Sequence, residues 1–191
     1  MIRADTFGVK IGVRTSQKSL DNEAVFWYYH TILTDLVEKG VTMYISQKCQ
    51  YALRAIFELA KRNGRGPVKI AEIADVQAIP LRFLEVILSQ LKQARFVSSQ
   101  RGNKGGYVLS ANPEELTVGE VMRFMQGPVG PVDCVVSGSK DKCPLYGDCA
   151  FLPMWEKVRT AISDVYDNTT FQDLVNQEKQ RNRKQAIHYS I

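Results

Sequence analysis

Three of the four cysteines fall within one short stretch, Cys134-VVSGSKDK-Cys143-PLYGD-Cys149, with eight residues between the first pair and five between the second. This is not the C-x2-C spacing of common structural zinc sites. Three thiolates on a glycine-containing loop can nevertheless converge on one metal centre, and soft thiolates suit an iron–sulfur cluster, zinc or Cu(I). Lys140 and Lys142 lie inside the stretch, where positive charge favours the thiolate form. The alternatives are a loop with incidental cysteines or a pair used as a disulfide switch. Cys49 stands apart, at an apolar-spaced position of a helical segment, and reads as a small core residue rather than a ligand. The only histidines are His30 and His188, which leaves little material for a His-based relay. No general base, nucleophile pair or phosphate loop accompanies the cysteines, so an enzyme is not expected.

The elements that must position this cluster belong to a chain of 191 residues, enough for one compact domain plus accessory helices. Hydrophobic residues make up 45%, which excludes wholesale disorder. No apolar run is long enough to cross a membrane, and the start MIRADTFGVKIGVRTSQ lacks the apolar stretch of a signal peptide. A cytoplasmic protein is expected, in which cysteines serve metal or redox chemistry before disulfides. The net charge of +5 is unevenly spread: residues 43–110 carry +7, residues 111–178 carry −6, and residues 179–191 carry +4. A basic module followed by an acidic one suggests a polyanion-binding part and a separate assembly or sensing part. Solvated faces that differ by chance are the plainer alternative.

Within the basic module, Ser46 can cap a helix through QKCQYALRAIFELAKRNG, with Cys49, Leu53, Ile56 and Ala60 at helical spacing and Gly64 as its stop. VKIAEIADVQ reads as a short helix. AIPLRFLEVILSQLKQARF reads as a longer one, with Pro80 in its first turn and Leu84, Ile87, Leu88 and Leu91 as its apolar stripe. Arg82, Glu85, Ser89 and Gln93 fall opposite. VSSQRGNKGGYVLS is two short β-type runs around a basic, glycine-rich tip that carries Arg101 and Lys104. Three helices followed by a hairpin is the order of a winged helix-turn-helix. The polar helix face suits base edges in a major groove, and the tip suits phosphate or a narrow minor groove. An ordinary amphipathic core helix and a simple hairpin turn are the alternatives taken singly.

Further on, Thr117-Val-Gly-Glu120 reads as a capping box opening VGEVMRFMQ, which Gly127 ends. PVGPVD is a stiff linker and residues 134–150 look irregular. PMWEKVRTAISDVYDN is a helix with Trp155, Val158, Ile162 and Val165 on one face. Such a helix outside a small winged domain needs something to pack on, and a twofold partner is the simplest answer. Thr170 can cap a last helix, FQDLVNQEKQ, before a basic, frayed tail.

MYISQKCQYALRAIFELA, IPLRFLEVILSQLKQARFVSSQRGNKGGYVLS, LTVGEVM, C-x8-C-x5-C and W-x6-I together resemble the Rrf-type winged-helix transcription regulators, from about Met43 to about Asn176. The fold class expected is mostly α with a small β-hairpin wing: a winged helix-turn-helix DNA-binding domain plus C-terminal dimerisation helices. The resemblance implies a homodimer on a pseudo-palindromic operator in double-stranded DNA, paired through a helix at about 151–166. It implies an iron–sulfur cluster whose loss or damage changes operator affinity. Carried over by position, the cluster ligands are Cys134, Cys143 and Cys149. The fourth ligand stays open. Some members place a His three residues after the last Cys, where this chain has Leu152. Others use an acidic residue from the partner's first helix, at the position of Gln50. Cys49, a neighbouring carboxylate, water or a small thiol are further candidates. The long first spacing resembles the iron-regulator branch and favours a 4Fe–4S over a 2Fe–2S cluster. Positions matching the family's DNA contacts are Gln47, Lys48, Lys69, Arg82, Phe83, Glu85, Arg101 and Lys104, with a core aromatic as the alternative for Phe83.

The family pattern starts at Met43. Met43 is expected to be the native start and residues 1–42 a translated leader ahead of it, although VFWYYHTILTDLV has the pattern of an amphipathic helix. Lys39-Gly40 must be encoded by AARGGN, which always contains the ribosome-binding core AAGG, roughly seven nucleotides before the Met43 codon. The expected organisation is then 1–42 extension, 43–112 winged helix-turn-helix, 113–133 connecting helix and linker, 134–150 cysteine loop, 151–178 dimerisation and last helices, and 179–191 tail. The expected function is a bacterial transcription regulator whose cluster senses iron, cluster, redox or nitric-oxide status. A thiol switch and a partner-regulated repressor without a cluster are the rivals.

Overall fold

The computed structural model describes residues 45–136, 143 and 145–188. The expected leader, its amphipathic segment and Met43 lie outside the described residues, as do Lys140 and Lys142.

Helix α1 (Gln47–Lys61) starts where expected: the Ser46 hydroxyl accepts from the Cys49 N–H at 3.2 Å. Its inner face buries Cys49, Ala52, Ala55, Ile56, Leu59 and Ala60, whereas Leu53 is only half-buried. Helices α2 (Ile70–Val76) and α3 (Leu81–Gln93) form the helix-turn-helix. Pro80 is the N-cap of α3 rather than part of its first turn, with φ near −59° in an extended backbone. The expected stripe of Leu84, Ile87, Leu88 and Leu91 is buried in full.

Both helices close in the same way. Behind α2, Ile79 N–H donates to the Ala74 carbonyl (2.8 Å) and Ala78 N–H to Asp75 (3.1 Å). Behind α3, Phe96 N–H donates to Leu91 and Arg95 N–H to Lys92, each at 3.0 Å. These are Schellman closures, which need a left-handed residue just past the helix. Ala78 (φ 47°) and Arg95 (φ 62°) take that conformation without being glycine.

The wing pairs β1 (Val97–Gln100) with β2 (Gly106–Leu109), antiparallel, from Val97↔Leu109 to Gln100↔Gly106. Val68 pairs with Tyr107 on the other edge of β2, so the chain entering α2 is tied to the wing. Gly106 is required there: a Cβ would collide with the Val68 carbonyl.

Helix α4 (Val118–Gln126) carries the expected capping box. Thr117 N–H donates to Glu120 Oε2 (2.9 Å) and Glu120 N–H to Thr117 Oγ1 (3.2 Å), and Gly127 closes the helix at φ 86°. Phe96 and Phe124 meet edge to face, with centroids 5.6 Å apart.

The segment expected to be irregular contains one helical turn, α5 (Asp133–Val136), whose Val136 side chain occupies the space a Cβ on Gly130 would need. Helix α6 (Leu152–Asp167) follows, and no residue of it is buried. The last helix, α7, runs Phe171–His188. It opens with a second reciprocal cap: Thr170 N–H donates to Asp173 Oδ2 and Asp173 N–H to Thr170 Oγ1, both at 3.1 Å. The Thr170 hydroxyl, which also donates to Asp173 Oδ2 at 2.7 Å, and then the Thr170 N–H hold the Asp173 carboxyl below the usual carboxylate range.

One expectation changes here. The tail after residue 178 is helical to His188 rather than frayed, because KQRNRKQ is made of residues that favour or tolerate helix. Helix α7 also joins the head: Phe171 and Val175 are buried in the winged core, Phe171 N–H donates to Leu116, and Lys61 on α1 pairs with Glu178 at 2.9 Å. Among the described residues, no helix is long and apolar enough to cross a membrane.

Candidate nucleic-acid interface and cysteine segment

All eight positions proposed to meet DNA are exposed: Gln47 and Lys48 in the first turn of α1, Lys69 before α2, Arg82, Phe83 and Glu85 on α3, and Arg101 and Lys104 at the wing tip. The structure shows how two of them come together with neighbouring elements. The Phe83 ring lies 6.5 Å from the Tyr51 ring, one turn after Gln47 and Lys48, which joins the start of α1 to the start of α3. Lys69 directly follows Val68, the residue that pairs with β2, and so sits at the base of the wing. The core alternative for Phe83 does not hold, since the side chain is 62% exposed.

Behind this face is a polar clamp that the sequence did not reveal. Arg54, Glu58 and Arg62 recur every four residues along α1 and look like a solvated stripe. In the fold they lie over α2. Arg54 donates to the Gln77 carbonyl, at the C-cap of α2. Glu58 is buried and accepts from Gln77 Nε2 and from Arg62 Nε, each at 2.8 Å. Arg62 also pairs with Glu72 on α2. Gln77 thus begins the turn between the two helices with both its backbone carbonyl and its side-chain amide held by α1. A buried carboxylate bonded on both oxygens is expensive to disturb.

Val86 was also missed. It is 57% exposed and sits four residues after Arg82, on the outward face of α3. Residue type hid it, because a valine beside an apolar stripe reads as core. Its spacing was the available signal.

The cysteine segment differs from the winged unit. Cys134 (in α5), Cys143 and Cys149 are half-buried and free. Tyr146 N–H donates to the Cys143 carbonyl at 3.0 Å, and Leu152 N–H, at the start of α6, donates to Cys149 at 3.1 Å. Two of the cysteines therefore lie on turns that lead into α6. As a donor set, three unpaired thiols fit a soft-metal centre. Among the described residues, however, no three Cys, His, Asp or Glu side chains are gathered at metal-binding spacing. The open fourth-ligand positions are Leu152, which is half-buried, and Gln50, whose side-chain amide donates to the Ile45 carbonyl at 2.9 Å. Cys49 is fully buried, and burial pushes its thiol up to about 11 against a smaller opposing pull from Lys48. It is a core residue. Trp155, Val158 and Ile162 are half-buried on α6 and Val165 is 63% exposed.

A helix-turn-helix with a basic outer face, braced from behind and flanked by a basic wing, defines a winged-helix DNA-binding transcription regulator. More particularly, the chain belongs to the Rrf2 family: the model described as iron-dependent transcriptional regulator matches residues 45–177. It is similar to the HTH-type transcriptional regulator CymR of Bacillus subtilis, 37% identical over 132 residues that cover 69% of this chain and 89% of that protein. The solved structure of CymR, described as the global cysteine regulator of B. subtilis, superposes with a TM-score of 0.61 at 36% identity over 70% of this chain and 97% of the other. The HTH-type transcriptional regulator IscR of Sodalis glossinidius is 32% identical over 137 residues, 72% of this chain and 81% of that protein. The oxidized form of Staphylococcus aureus CymR matches with a TM-score of 0.55 at 31% identity, over 69% and 95% of the two chains. These relatives are transcription regulators, not enzymes.

Proposed function

We propose that this regulator binds a pseudo-palindromic operator as a homodimer, in the cytoplasm, and that an iron–sulfur cluster held by Cys134, Cys143 and Cys149 sets its affinity. Two copies pair through Trp155, Val158, Ile162 and Val165 of α6. Each places α3 in a major groove, with Arg82, Phe83 and Glu85 toward base edges, while Gln47, Lys48, Lys69, Arg101 and Lys104 meet the backbone or minor groove. The cluster supplies an oxidant-, nitric-oxide- and iron-sensitive crosslink among the three thiols. The chain's own part is to hold the three thiols beside the start of α6 and so bias the spacing of the two DNA heads.

The observation that carries this reading is that three free, half-buried thiols share one segment, and that the backbone carbonyl of the last cysteine accepts from Leu152 N–H at the start of α6. Anaerobic purification with an absorbance spectrum and an iron and sulfide count is the test. Visible colour with about four irons per chain is expected, in keeping with a 4Fe–4S centre. Cys143→Ala should be colourless yet folded, and full colour in that variant removes Cys143 from the ligand set.

A second reading is favoured by the kinship with CymR, described as a cysteine regulator and solved in an oxidized form. Here the same thiols form a reversible disulfide. Iron-free anaerobic protein whose DNA release tracks disulfide formation selects this reading over the first.

A further inference from the structure

Large hydrophobic side chains exposed among the described residues fall mainly into two groups. Leu145, Phe151, Met154 and Val165 lie on the cysteine segment and α6, where pairing of two copies would cover part of them. Val76, Leu81, Phe83 and Val86 lie on the helix-turn-helix, and none of the described residues covers them. An apolar patch kept open on a protein surface marks a contact. What surrounds it narrows the partner. Lys69, Arg82, Arg101 and Lys104 are all exposed on the same helix-turn-helix and wing, so the partner is a polyanion that also offers small apolar groups.

Duplex DNA meets that description in one way. The C5-methyl of thymine is the apolar group on the major-groove edge of the bases. Val86 is placed to find it. It follows Arg82 by one turn and projects only about 40° from it around the helix axis. Leu84, Ile87, Leu88 and Leu91 hold the opposite face in the core, so α3 cannot roll to hide Val86. A valine carries no hydrogen-bonding group, so it can distinguish bases only by apolar contact.

We propose that Val86 reads a thymine C5-methyl in each operator half-site, with Phe83 closing the apolar strip beside it, and so determines part of the sequence specificity. This rests on the reading of α3 as the DNA-facing helix. The strip turns exposed hydrophobic surface into base discrimination that Arg82 and Glu85 cannot supply, since both act through polar atoms.

The test replaces thymine by deoxyuridine, which removes the methyl and nothing else. The probe is a duplex enriched from a random pool by the full chain. Each thymine is replaced in turn, and affinity is measured for the unaltered protein and for Val86→Ala. At one or more thymines per half-site, deoxyuridine should weaken the unaltered protein about fourfold, the size expected for burying one methyl-sized group. Val86→Ala should bind the thymine duplex similarly weaker and lose nothing further on the substituted one. Because Val86 is exposed, the variant's unfolding midpoint should stay unchanged. The proposal is overturned if no thymine is sensitive, or if Val86→Ala keeps the full deoxyuridine penalty. Arg82→Ala and Arg101→Ala on the same duplex separate the layers. If they weaken binding while deoxyuridine is silent, thymine reading fails and the DNA-facing assignment stands. If neither weakens binding, that assignment itself fails.

Discussion

The winged unit and the cysteine segment with α6 are built on opposite terms. Every buried hydrophobic side chain of the described core lies between Cys49 and Met125 or at Phe171 and Val175. Among the described residues between 126 and 170 there is none, although α6 is sixteen residues long and carries Trp155, Val158, Ile162 and Val165. The first region satisfies itself: α1 and α4 are capped by side chains at their starts, α2 and α3 close in Schellman turns, its one buried charge is bonded on both oxygens, and its wing is tied to the chain entering α2. The second leaves its apolar side chains half-buried or exposed, and on the reading proposed above a second copy and a bound centre complete it. The difference suggests a division of labour. On the proposed reading, the head reads DNA and the cysteine segment with α6 adjusts how two heads are held.

The cysteines offer the widest contrast. At pH 8, alkylation of Cys49 should run more than about a hundredfold slower than that of an ordinary thiol, because its raised pKa leaves almost no thiolate and its side chain is buried. Cys134, Cys143 and Cys149 should label first in metal-free, reduced protein. Peptide mapping over time checks this, and equal rates for all four would erase the contrast. Phe171→Ala comes next, with an expected loss of about 3–5 kcal/mol in urea unfolding. Val165→Ser should leave the unfolding of the isolated chain nearly unchanged while shifting sedimentation toward monomer. A large stability loss from Val165→Ser would mean that α6 is part of the head. Glu58→Ala should cost about 2–3 kcal/mol by leaving the Gln77 amide without its acceptor and Arg62 with Glu72 alone. Ala78→Gly is the smallest, an expected gain of about 0.5 kcal/mol in thermal unfolding from relief of a left-handed alanine.

The sequence made the head legible where patterns were local. The α3 stripe, the Ser46 cap and the Thr117–Glu120 box follow from spacing alone. It was silent where tertiary contact overrode residue type. Ala78 and Arg95 gave no glycine signal for the two Schellman turns. Glu58 looked solvated because only the arrival of α2 buries it. Val86 belonged to neither the stripe nor the polar face read from spacing, and the rotation of α3, set by its four core residues, turns it outward. The helical tail was hidden by polarity, since a basic, glutamine-rich run has no apolar stripe to announce a helix. For the cysteine segment, donor types and spacing were visible, but convergence is not encoded in spacing, and the described residues hold no gathered metal site.

The most direct measurement of whether the open segment controls the closed head is operator affinity in anaerobically prepared protein, before and after iron removal by a chelator, with Cys143→Ala alongside. The expected result is a change of about tenfold or more on iron removal, within the usual range of coupling between two sites, with Cys143→Ala matching the iron-free protein from the start. Identical affinity in all three preparations would contradict control through these three thiols and a bound centre.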